Sequence, residues 1–216
     1  MANSAEVKLF GYAMKQIDEA GIGAEKWTIG GGTVLKHVLR HRESRDIDIF
    51  LEDPQLLGSL SPRMNEANEL DLLDYRENAN GMQLTFPEGK VDFVVAGRVT
   101  SFPPKKAAFH GREVFLDDPV EIVAKKIYHR ADYFHPRDCF DLAALYLSDR
   151  KDDLTAAAAV MPDKIGVLKR RIEKISEDKE FLKPVVPAEE GKHIRGREFS
   201  LVKDFIRDVE AYIRTS

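Results

Sequence analysis

Two short groups of residues near the start of the chain have the types and spacing of a site for a phosphorylated ligand. The first is the tripeptide Gly31-Gly32-Thr33, which follows a β-prone run at residues 27–29. Glycine permits positive φ and a close approach of the backbone to a ligand. Apolar residues then recur at helical spacing over residues 34–39. Thr33 therefore stands at a predicted helix start, where backbone amides and the helix dipole favour phosphate.

The second group is Asp46 and Asp48, in a segment that alternates in polarity from Arg45 to Leu51. In a β-strand, side chains two positions apart project from the same face. Two neighbouring carboxylates repel each other, and a shared cation relieves that repulsion. Mg²⁺ prefers carboxylate oxygens together with substrate phosphates, and Mn²⁺ suits the same ligands. The acids therefore predict a divalent metal site that shares its ligand with the glycine turn.

Each group alone also has an ordinary interpretation. A Gly-Gly-Thr sequence is more often a plain turn, and an Asp-x-Asp sequence is usually a solvated strand face. The order found here, with a helix between the turn and the acids, is much more specific. The pair together indicates a site for a nucleotide and a metal.

This stretch resembles the first motif of the DNA polymerase β-like nucleotidyltransferases, in which Gly-Gly or Gly-Ser precedes a helix and an Asp-x-Asp strand. Within that superfamily it is most similar to the AbiEii/AbiGii toxins of abortive-infection toxin–antitoxin pairs. The matching strand here is Arg45-Asp46-Ile47-Asp48-Ile49-Phe50. The resemblance implies an enzyme that binds a nucleoside triphosphate, with Arg45 among the residues that contact it.

A second block, residues 119–147, carries further charged residues in a regular arrangement. Asp117-Asp118-Pro119 predicts a helix start, and Lys126 and Arg130 lie four apart on one face of that helix. The resemblance implies that Lys126 is the family's lysine and that Arg137, Asp138 and Asp141 form its later element.

Lys126 and Arg130 would present two cations to a triphosphate. Two roles stay open for Asp138 and Asp141. They are either catalytic residues or residues that only orient Lys126 and Arg130. A purely structural set of interhelical ion pairs is the ordinary alternative. The resemblance covers about residues 25–147, and the last 70 or so residues carry no matching motif.

A third carboxylate is expected from a neighbouring strand, because the superfamily normally has one. The candidate is Asp92, in the alternating segment from Lys90 to Val95. Residues 83–86 precede it across Pro87-Glu88-Gly89, which predicts a hairpin. If this strand pairs with residues 45–51, Asp92 joins the two other acids as a metal ligand and as the base for the acceptor. Its alternative is an ordinary polar strand position.

Composition excludes several classes of protein. The net charge is −4 over 216 residues, so the whole chain is not a binder of polyanions and any RNA contact must come from local patches. One such patch surrounds the first motif and consists of Lys36, His37, Arg40, His41, Arg42 and Arg45. His37 and His41 are four apart but lack the glutamate of a metalloprotease motif, so we expect surface or substrate-facing side chains.

The single cysteine, Cys139, excludes a disulfide within the chain and fits a reducing compartment. The first residues lack the apolar core of a leader peptide, and no run reaches the length of a membrane span. We therefore expect a cytoplasmic protein that does not contact a membrane.

The predicted architecture is an α/β (α+β) fold. Residues 1–112 form a minimal nucleotidyltransferase core with a short mixed sheet. Residues 113–216 form a C-terminal helical bundle that completes the active-site cleft. Residues 97–113, rich in proline, lysine and glycine, are predicted to be a loop between the two parts.

The function that the resemblance implies is a toxin's transfer of a nucleoside monophosphate from a nucleoside triphosphate to RNA, such as the 3′ end of a transfer RNA. It also implies a cognate antitoxin protein. The catalytic residues do not distinguish RNA from a protein hydroxyl or an aminoglycoside-like small molecule as the acceptor. A catalytically silent nucleotide-binding protein is a further alternative, against which the complete set of acids and Lys126 argues.

Overall fold

The chain folds into helices and one β-sheet, which a computed structural model describes for residues 4–178 and 180–215. The α-helices are α1 (Ser4–Glu19), α2 (Gly31–Leu39), α3 (Leu56–Leu60), α4 (Pro119–Arg130), α5 (Pro136–Tyr146), α6 (Lys151–Ala159), α7 (Pro162–Ile175) and α8 (Glu198–Thr215). The strands are β1 (Trp27–Gly30), β2 (Ile47–Leu51), β3 (Asp74–Asn78), β4 (Gly81–Phe86), β5 (Gly89–Val95), β6 (Lys105–Phe109) and β7 (Arg112–Leu116). Short 3-10 helices cover Ala24–Lys26, Ala131–Tyr133 and Glu189–Ile194.

The chain divides into two compact units that do not follow a single cut in the sequence. The first unit contains residues 1–34, 44–98 and 103–118, and the second contains 35–43, 99–102 and 119–216. The predicted functional boundary at residues 112 and 113 stays a prediction.

The first unit is built on a mixed seven-stranded sheet in the order β3-β4-β5-β2-β1-β7-β6. Strand β2 runs antiparallel to β1 and parallel to β5, and β1 runs parallel to β7. One face of the central strands carries the fully buried side chains Ile47, Ile49, Leu51, Val91 and Phe93. Helix α1 contacts β2 and β5 and is amphipathic, with buried Leu9, Phe10, Ala13 and Ile17.

The second unit is a set of helices to which two earlier segments belong. Helices α5, α6 and α7 contact α8, and α4 contacts α5, α6 and α7. The earlier segments are fixed by hydrogen bonds. Glu121 accepts bonds from the backbone amides of Val99 (3.0 Å) and Thr100 (2.9 Å). The amide of Glu43 donates to the carbonyl of Val186 at 3.0 Å.

The fold confirms the predicted mixed α/β class with C-terminal helices. The predicted hairpin is also confirmed, because β4 and β5 are antiparallel and Phe86 pairs with Gly89. The predicted loop over residues 97–113 is wrong in its second half, where β6 and β7 pair from Lys105↔Leu116 to Phe109↔Arg112. Among the residues that the structure describes, no helix is both long and apolar enough to cross a membrane.

Candidate active site

The glycine turn lies directly against the Asp48 carboxylate. Gly31 is the first residue of α2 and has φ +67°, a conformation that glycine adopts without strain. A β-carbon built on Gly31 would overlap the carboxylate of Asp48. Both the backbone conformation and the close contact therefore require glycine at this position. The sequence pattern has a physical reason, since only a residue without a side chain leaves room for the acid.

Asp48 and Asp92 lie side by side on neighbouring strands. They are directly paired in the parallel register of β2 and β5, and Asp48 also pairs with Gly30 of β1. Directly paired residues project from the same face of a sheet. Both side chains are half-buried, while the opposite face of these strands is the core. The predicted pairing of the Asp92 strand beside Asp48 is thus confirmed.

Asp46 immediately precedes β2, and its contacts hold the start of that strand. Its Oδ1 atom accepts a hydrogen bond from the backbone amide of Lys90 at 3.2 Å. Its carbonyl accepts one from the hydroxyl of Thr33 at 2.6 Å. We call Asp46, Asp48 and Asp92 the carboxylate row. Asp48 and Asp92 offer carboxylate oxygens from one face of the sheet, which is the type of ligand that a hard divalent cation prefers, while Oδ1 of Asp46 is engaged by the Lys90 amide.

Thr33 is fully buried, and its hydroxyl links α2 to the approach to β2. Besides the bond to Asp46, this hydroxyl lies 3.3 Å from the Ser44 hydroxyl. The first backbone amides of a helix have no partner within that helix. The backbone amides of Gly31, Gly32 and Thr33 are therefore the groups of this turn that suit a phosphate, and the Thr33 side chain fixes their position.

In the second unit, Asp141 is the centre of a buried set of charges. Its side chain is 0% exposed and contacts three donors. The Arg42 guanidinium donates from Nε to Oδ1 at 2.6 Å and from Nη2 to Oδ2 at 2.8 Å. Nε2 of His41 lies 2.5 Å from Oδ1, and Nζ of Lys126 donates to Oδ2 at 2.5 Å. Such pairing is what permits a carboxylate to remain charged in a protein interior.

Asp138 completes this group from one turn earlier on α5. Its Oδ1 accepts from Lys126 Nζ at 2.8 Å and lies 3.6 Å from Nη1 of Arg130. Its Oδ2 accepts from the backbone amide of His135 at 3.1 Å, which caps the start of α5. We call His41, Arg42, Lys126, Asp138 and Asp141 the Asp141 cluster. Lys126 is thereby held by two carboxylates, while Arg130 remains partly exposed.

The charges of the Asp141 cluster reinforce one another. Burial acts to raise the pKa of Asp141, but Lys126 and Arg42 outweigh it and hold that pKa well below its ordinary value of 3.8. Burial likewise opposes the effect of Lys126 and Arg130 on Asp138, whose pKa is also lowered. For Lys126 burial acts to lower the pKa, yet attraction to Asp138 and Asp141 raises it above 10.5. Lys126 is therefore an ammonium and both acids are carboxylates at neutral pH.

The basic patch predicted around the first motif is only partly on the surface. His37, Arg40 and Arg45 are exposed and Lys36 is half-buried. His41 and Arg42 are 1% and 2% exposed, so the expectation of a surface or substrate-facing His41 is wrong. Their partner Asp141 explains the burial of both residues.

Gln83 was not predicted as part of the site. Its side-chain amide donates to Oδ1 of Asp92 at 2.8 Å, and the two residues are paired across β4 and β5. The sequence contained a usable signal. In a hairpin where residue 86 pairs with residue 89, residue 83 must pair with residue 92. His41 and Arg42, by contrast, carry no local signal that distinguishes them from a solvated basic run.

Comparison with solved structures gives similarities at low sequence identity. A protein of Helicobacter pylori is 14% identical, with a TM-score of 0.48 over 96% of this chain and 91% of that chain. The ANT(2″)-Ia enzyme, solved with adenylyl-2″-tobramycin, is 18% identical, with a TM-score of 0.44 over 79% and 99%. An antigenic nucleotidyltransferase-like protein from Paracoccidioides brasiliensis is 16% identical, with a TM-score of 0.41 over 77% and 93%.

Among curated protein sequences none matches the chain. Residues 13–213 match the model of the family described as nucleotidyl transferase AbiEii toxin, type IV toxin–antitoxin system. This match extends well beyond residues 25–147, to which the recognisable motifs are confined, and it includes the C-terminal helices. Membership of the family implies a nucleoside triphosphate as substrate and a cognate antitoxin. The chain belongs to the AbiEii family of nucleotidyltransferase toxins.

Proposed function

We propose that this nucleotidyltransferase transfers a nucleoside monophosphate to an RNA acceptor in the cytoplasm, such as the 3′ end of a transfer RNA, and so halts translation. The observation that carries the proposal is the position of Asp48. It lies between the glycine turn, which suits phosphate, and Asp92, which adds a second carboxylate on the same face of the sheet. A triphosphate with its divalent cation matches both neighbours at once.

The carboxylate row is the proposed ligand set for Mg²⁺ or Mn²⁺. Asp48 and Asp92 are adjacent on one sheet face, and Asp46 lies two positions before Asp48 on the same chain segment. Carboxylate oxygens of this kind, together with the phosphates of the substrate, are the ligands that Mg²⁺ prefers. A cation held by these residues would neutralise charge on the triphosphate and would lower the pKa of the acceptor hydroxyl.

The chain's own groups have proposed roles in binding and orientation. The amides of Gly31, Gly32 and Thr33 hold phosphate oxygens at the start of α2, with Arg45 as a further contact. Phosphoryl transfer depends mostly on such positioning and on neutralisation of charge. The acceptor hydroxyl bonds to the α-phosphorus as the bond to the β-phosphate breaks and pyrophosphate leaves, and Asp92 is the proposed acceptor of the hydroxyl's proton.

Lys126 and Arg130 are the proposed cations for the substrate's phosphate charge. Lys126 is kept protonated and rigid by Asp138 and Asp141, through contacts of 2.8 Å and 2.5 Å. The oxygens of Asp138 and Asp141 are already engaged by donors of the protein, and this supports a positioning role for both acids. Of the two roles that the sequence leaves open for them, we propose this one.

The test is a transfer assay with labelled nucleotides. Purified protein is incubated with Mg²⁺, each α-labelled nucleoside triphosphate in turn, and total RNA or protein extract. We expect label in small RNA, and we expect its loss with EDTA and with Asp48→Asn. The matched control is Asp74→Asn, which changes an exposed acid on β3 of the same sheet and should retain transfer.

Other outcomes of this assay select other functions. Label in protein would replace RNA with a protein hydroxyl as acceptor. Label in a small molecule would indicate an aminoglycoside-like acceptor, and nucleotide binding without transfer would indicate a silent binding protein. A folded Asp48→Asn protein that remained toxic to cells would contradict the catalytic proposal.

A further inference from the structure

Exposed aromatic side chains are concentrated where α4 ends and α5 begins. Tyr128 and Tyr133 are 44% and 48% exposed, and His129 and His135 are also exposed. The rings form two edge-on pairs. The centroids of Tyr128 and His129 lie 5.0 Å apart at 80°, and those of Tyr133 and His135 lie 5.7 Å apart at 79°. Four of the eight residues from 128 to 135 therefore carry an exposed ring.

Permanent positive charges accompany these rings. The Arg130 side chain is 39% exposed and Arg137 is exposed. Nζ of Lys164, from α7, lies 5.0 Å from the centroid of the Tyr128 ring. Two exposed acids, Asp132 and Asp163, lie in the same stretches, and Arg130 and Lys126 share the buried Asp138, so four cations stand against three anions. The local balance is positive although the net charge of the chain is −4.

This surface adjoins the cations to which the proposed function assigns the substrate's phosphates. Arg130 lies 3.6 Å from the Asp138 carboxylate, which also binds Lys126. Arg130 is the residue of this surface that makes the contact, two positions after Tyr128 at the end of α4, and Arg137 immediately precedes Asp138. An acceptor whose backbone contacts Arg130 would therefore be next to Lys126, to which the proposed function assigns the substrate's phosphates, and an acceptor is the second substrate that any nucleotidyltransferase needs.

We propose that this aromatic–basic surface binds the single-stranded end of the RNA acceptor. We define it as Tyr128, His129, Arg130, Tyr133, His135 and Arg137. Bases stack on aromatic rings irrespective of their identity, while cations between the rings attract the phosphates. Burial and the neighbouring cations lower the pKa of His129, so its ring is neutral near pH 7 and serves as a flat surface. The inference rests on the proposed function, because it names where that reaction's acceptor is held.

The test compares Tyr128→Ala/Tyr133→Ala with wild type in two measurements on the full chain. The first is the Kd for a fluorescent single-stranded RNA, measured by anisotropy without nucleotide. The second is the KM for RNA and the KM for the triphosphate in the transfer assay. Loss of a stacked base weakens binding about tenfold per tyrosine. We expect an increase of at least tenfold in Kd and in KM for RNA, with KM for the triphosphate unchanged.

The matched control is Tyr212→Ala, since Tyr212 of α8 is also 44% exposed but lies outside the surface. It should bind RNA as wild type does. Tyr128→Phe/Tyr133→Phe keeps both rings and should restore binding. If the alanine variant kept the wild-type RNA affinity and KM for RNA, the proposal that this surface binds RNA would be wrong, even if label is transferred to RNA. RNA binding that depends on the two tyrosines, without any transfer, would instead support RNA binding by this surface and contradict the proposed reaction.

Discussion

The Asp48 carboxylate occupies the space beside Gly31 that a side chain at this position would fill. We predict that Gly31→Ala lowers the rate of transfer at least 100-fold, because the new methyl group would occupy the position of that carboxylate. Removing a single charge-stabilising group of an active site has an effect of about this size. The rate is measured in the labelled transfer assay, with circular dichroism as a check that the protein is folded.

A second glycine separates this steric effect from backbone strain. Gly21 has φ +65°, close to the +67° of Gly31, but a β-carbon there would meet nothing within 4 Å. Gly21→Ala therefore has the same conformational cost, about 1 kcal/mol, without the overlap. It should retain transfer. Equal losses of rate in the two variants would show that strain alone, and no contact with Asp48, explains the requirement for glycine.

Gln83 offers a second prediction at the scale of one residue. Its amide fixes one oxygen of Asp92, which is a proposed metal ligand, and the partners that orient such a ligand typically contribute about 10–100-fold to metal affinity. Gln83→Leu should therefore raise the Mg²⁺ concentration for half-maximal transfer by that factor. The control is Thr85→Val, which changes a half-buried polar residue two positions along β4. An unchanged Mg²⁺ dependence would contradict a role for Gln83 in orienting Asp92.

Among the secondary-structure elements, those with clear periodicity were predictable and those without it were not. The β4–β5 hairpin follows from alternation and a Pro-Glu-Gly turn, and α5 follows from Pro136 and an apolar stripe. Strands β6 and β7 were missed because two prolines precede β6, and β6 itself begins with two lysines and is a weakly alternating, largely exposed edge strand. Their turn has positive φ at both His110 and Gly111, a hairpin geometry that histidine rarely signals.

The Asp141 cluster shows a second limit on what can be predicted from the sequence. Local sequence predicts that Lys126 and Asp138 belong to neighbouring helices, and the ion pair between them was an expected alternative. It does not predict that His41 and Arg42 are buried, because their partner Asp141 is about 100 residues away in the chain. Burial of a charge depends on a compensating charge that only the tertiary structure brings near.

We predict that Asp141→Asn lowers the free energy of unfolding by about 3–5 kcal/mol, because Arg42 and Lys126 would remain buried without their shared anion. Urea unfolding followed by circular dichroism measures the change. The control is Asp149→Asn, at an exposed position just after α5, which should alter stability by less than about 0.5 kcal/mol. A similar small effect at Asp141 would mean that the cluster contributes nothing net to stability.

The effect of Asp141→Asn on the free energy of unfolding should depend on pH. The folded-state pKa values of Asp138 and Asp141 lie below 3.8, so their stabilising contribution is complete above that pH and is lost as pH falls through the folded values. For Lys126 the folded pKa lies above 10.5, so its contribution is present below 10.5 and is lost as pH rises through the folded value. The difference in unfolding free energy between wild type and Asp141→Asn should thus be largest at neutral pH and decrease in strong acid. A difference that stays constant down to the acid transition would contradict the lowered pKa of Asp141.

At the scale of the whole molecule, each unit contains one natural probe of its own unfolding. Trp27, the single tryptophan, is 3% exposed in β1 of the first unit. Cys139, the single cysteine, is 0% exposed on α5 of the second unit. Burial raises the pKa of the Cys139 thiol, so the group is a protonated thiol and a poor nucleophile in the folded protein. Tryptophan fluorescence and thiol labelling therefore report on different parts of the chain.

We predict that the Asp141 cluster stabilises the second unit more than the first, since all five of its residues belong to the second. In Asp141→Asn, labelling of Cys139 by an aromatic disulfide reagent in dilute urea should accelerate at least tenfold. The urea midpoint of Trp27 fluorescence should shift much less. Asp149→Asn serves again as control and should leave both probes unchanged. Equal shifts of the two probes would show that the units unfold as one cooperative body, and a labelling rate equal to wild type would show that α5 opens without breaking the cluster.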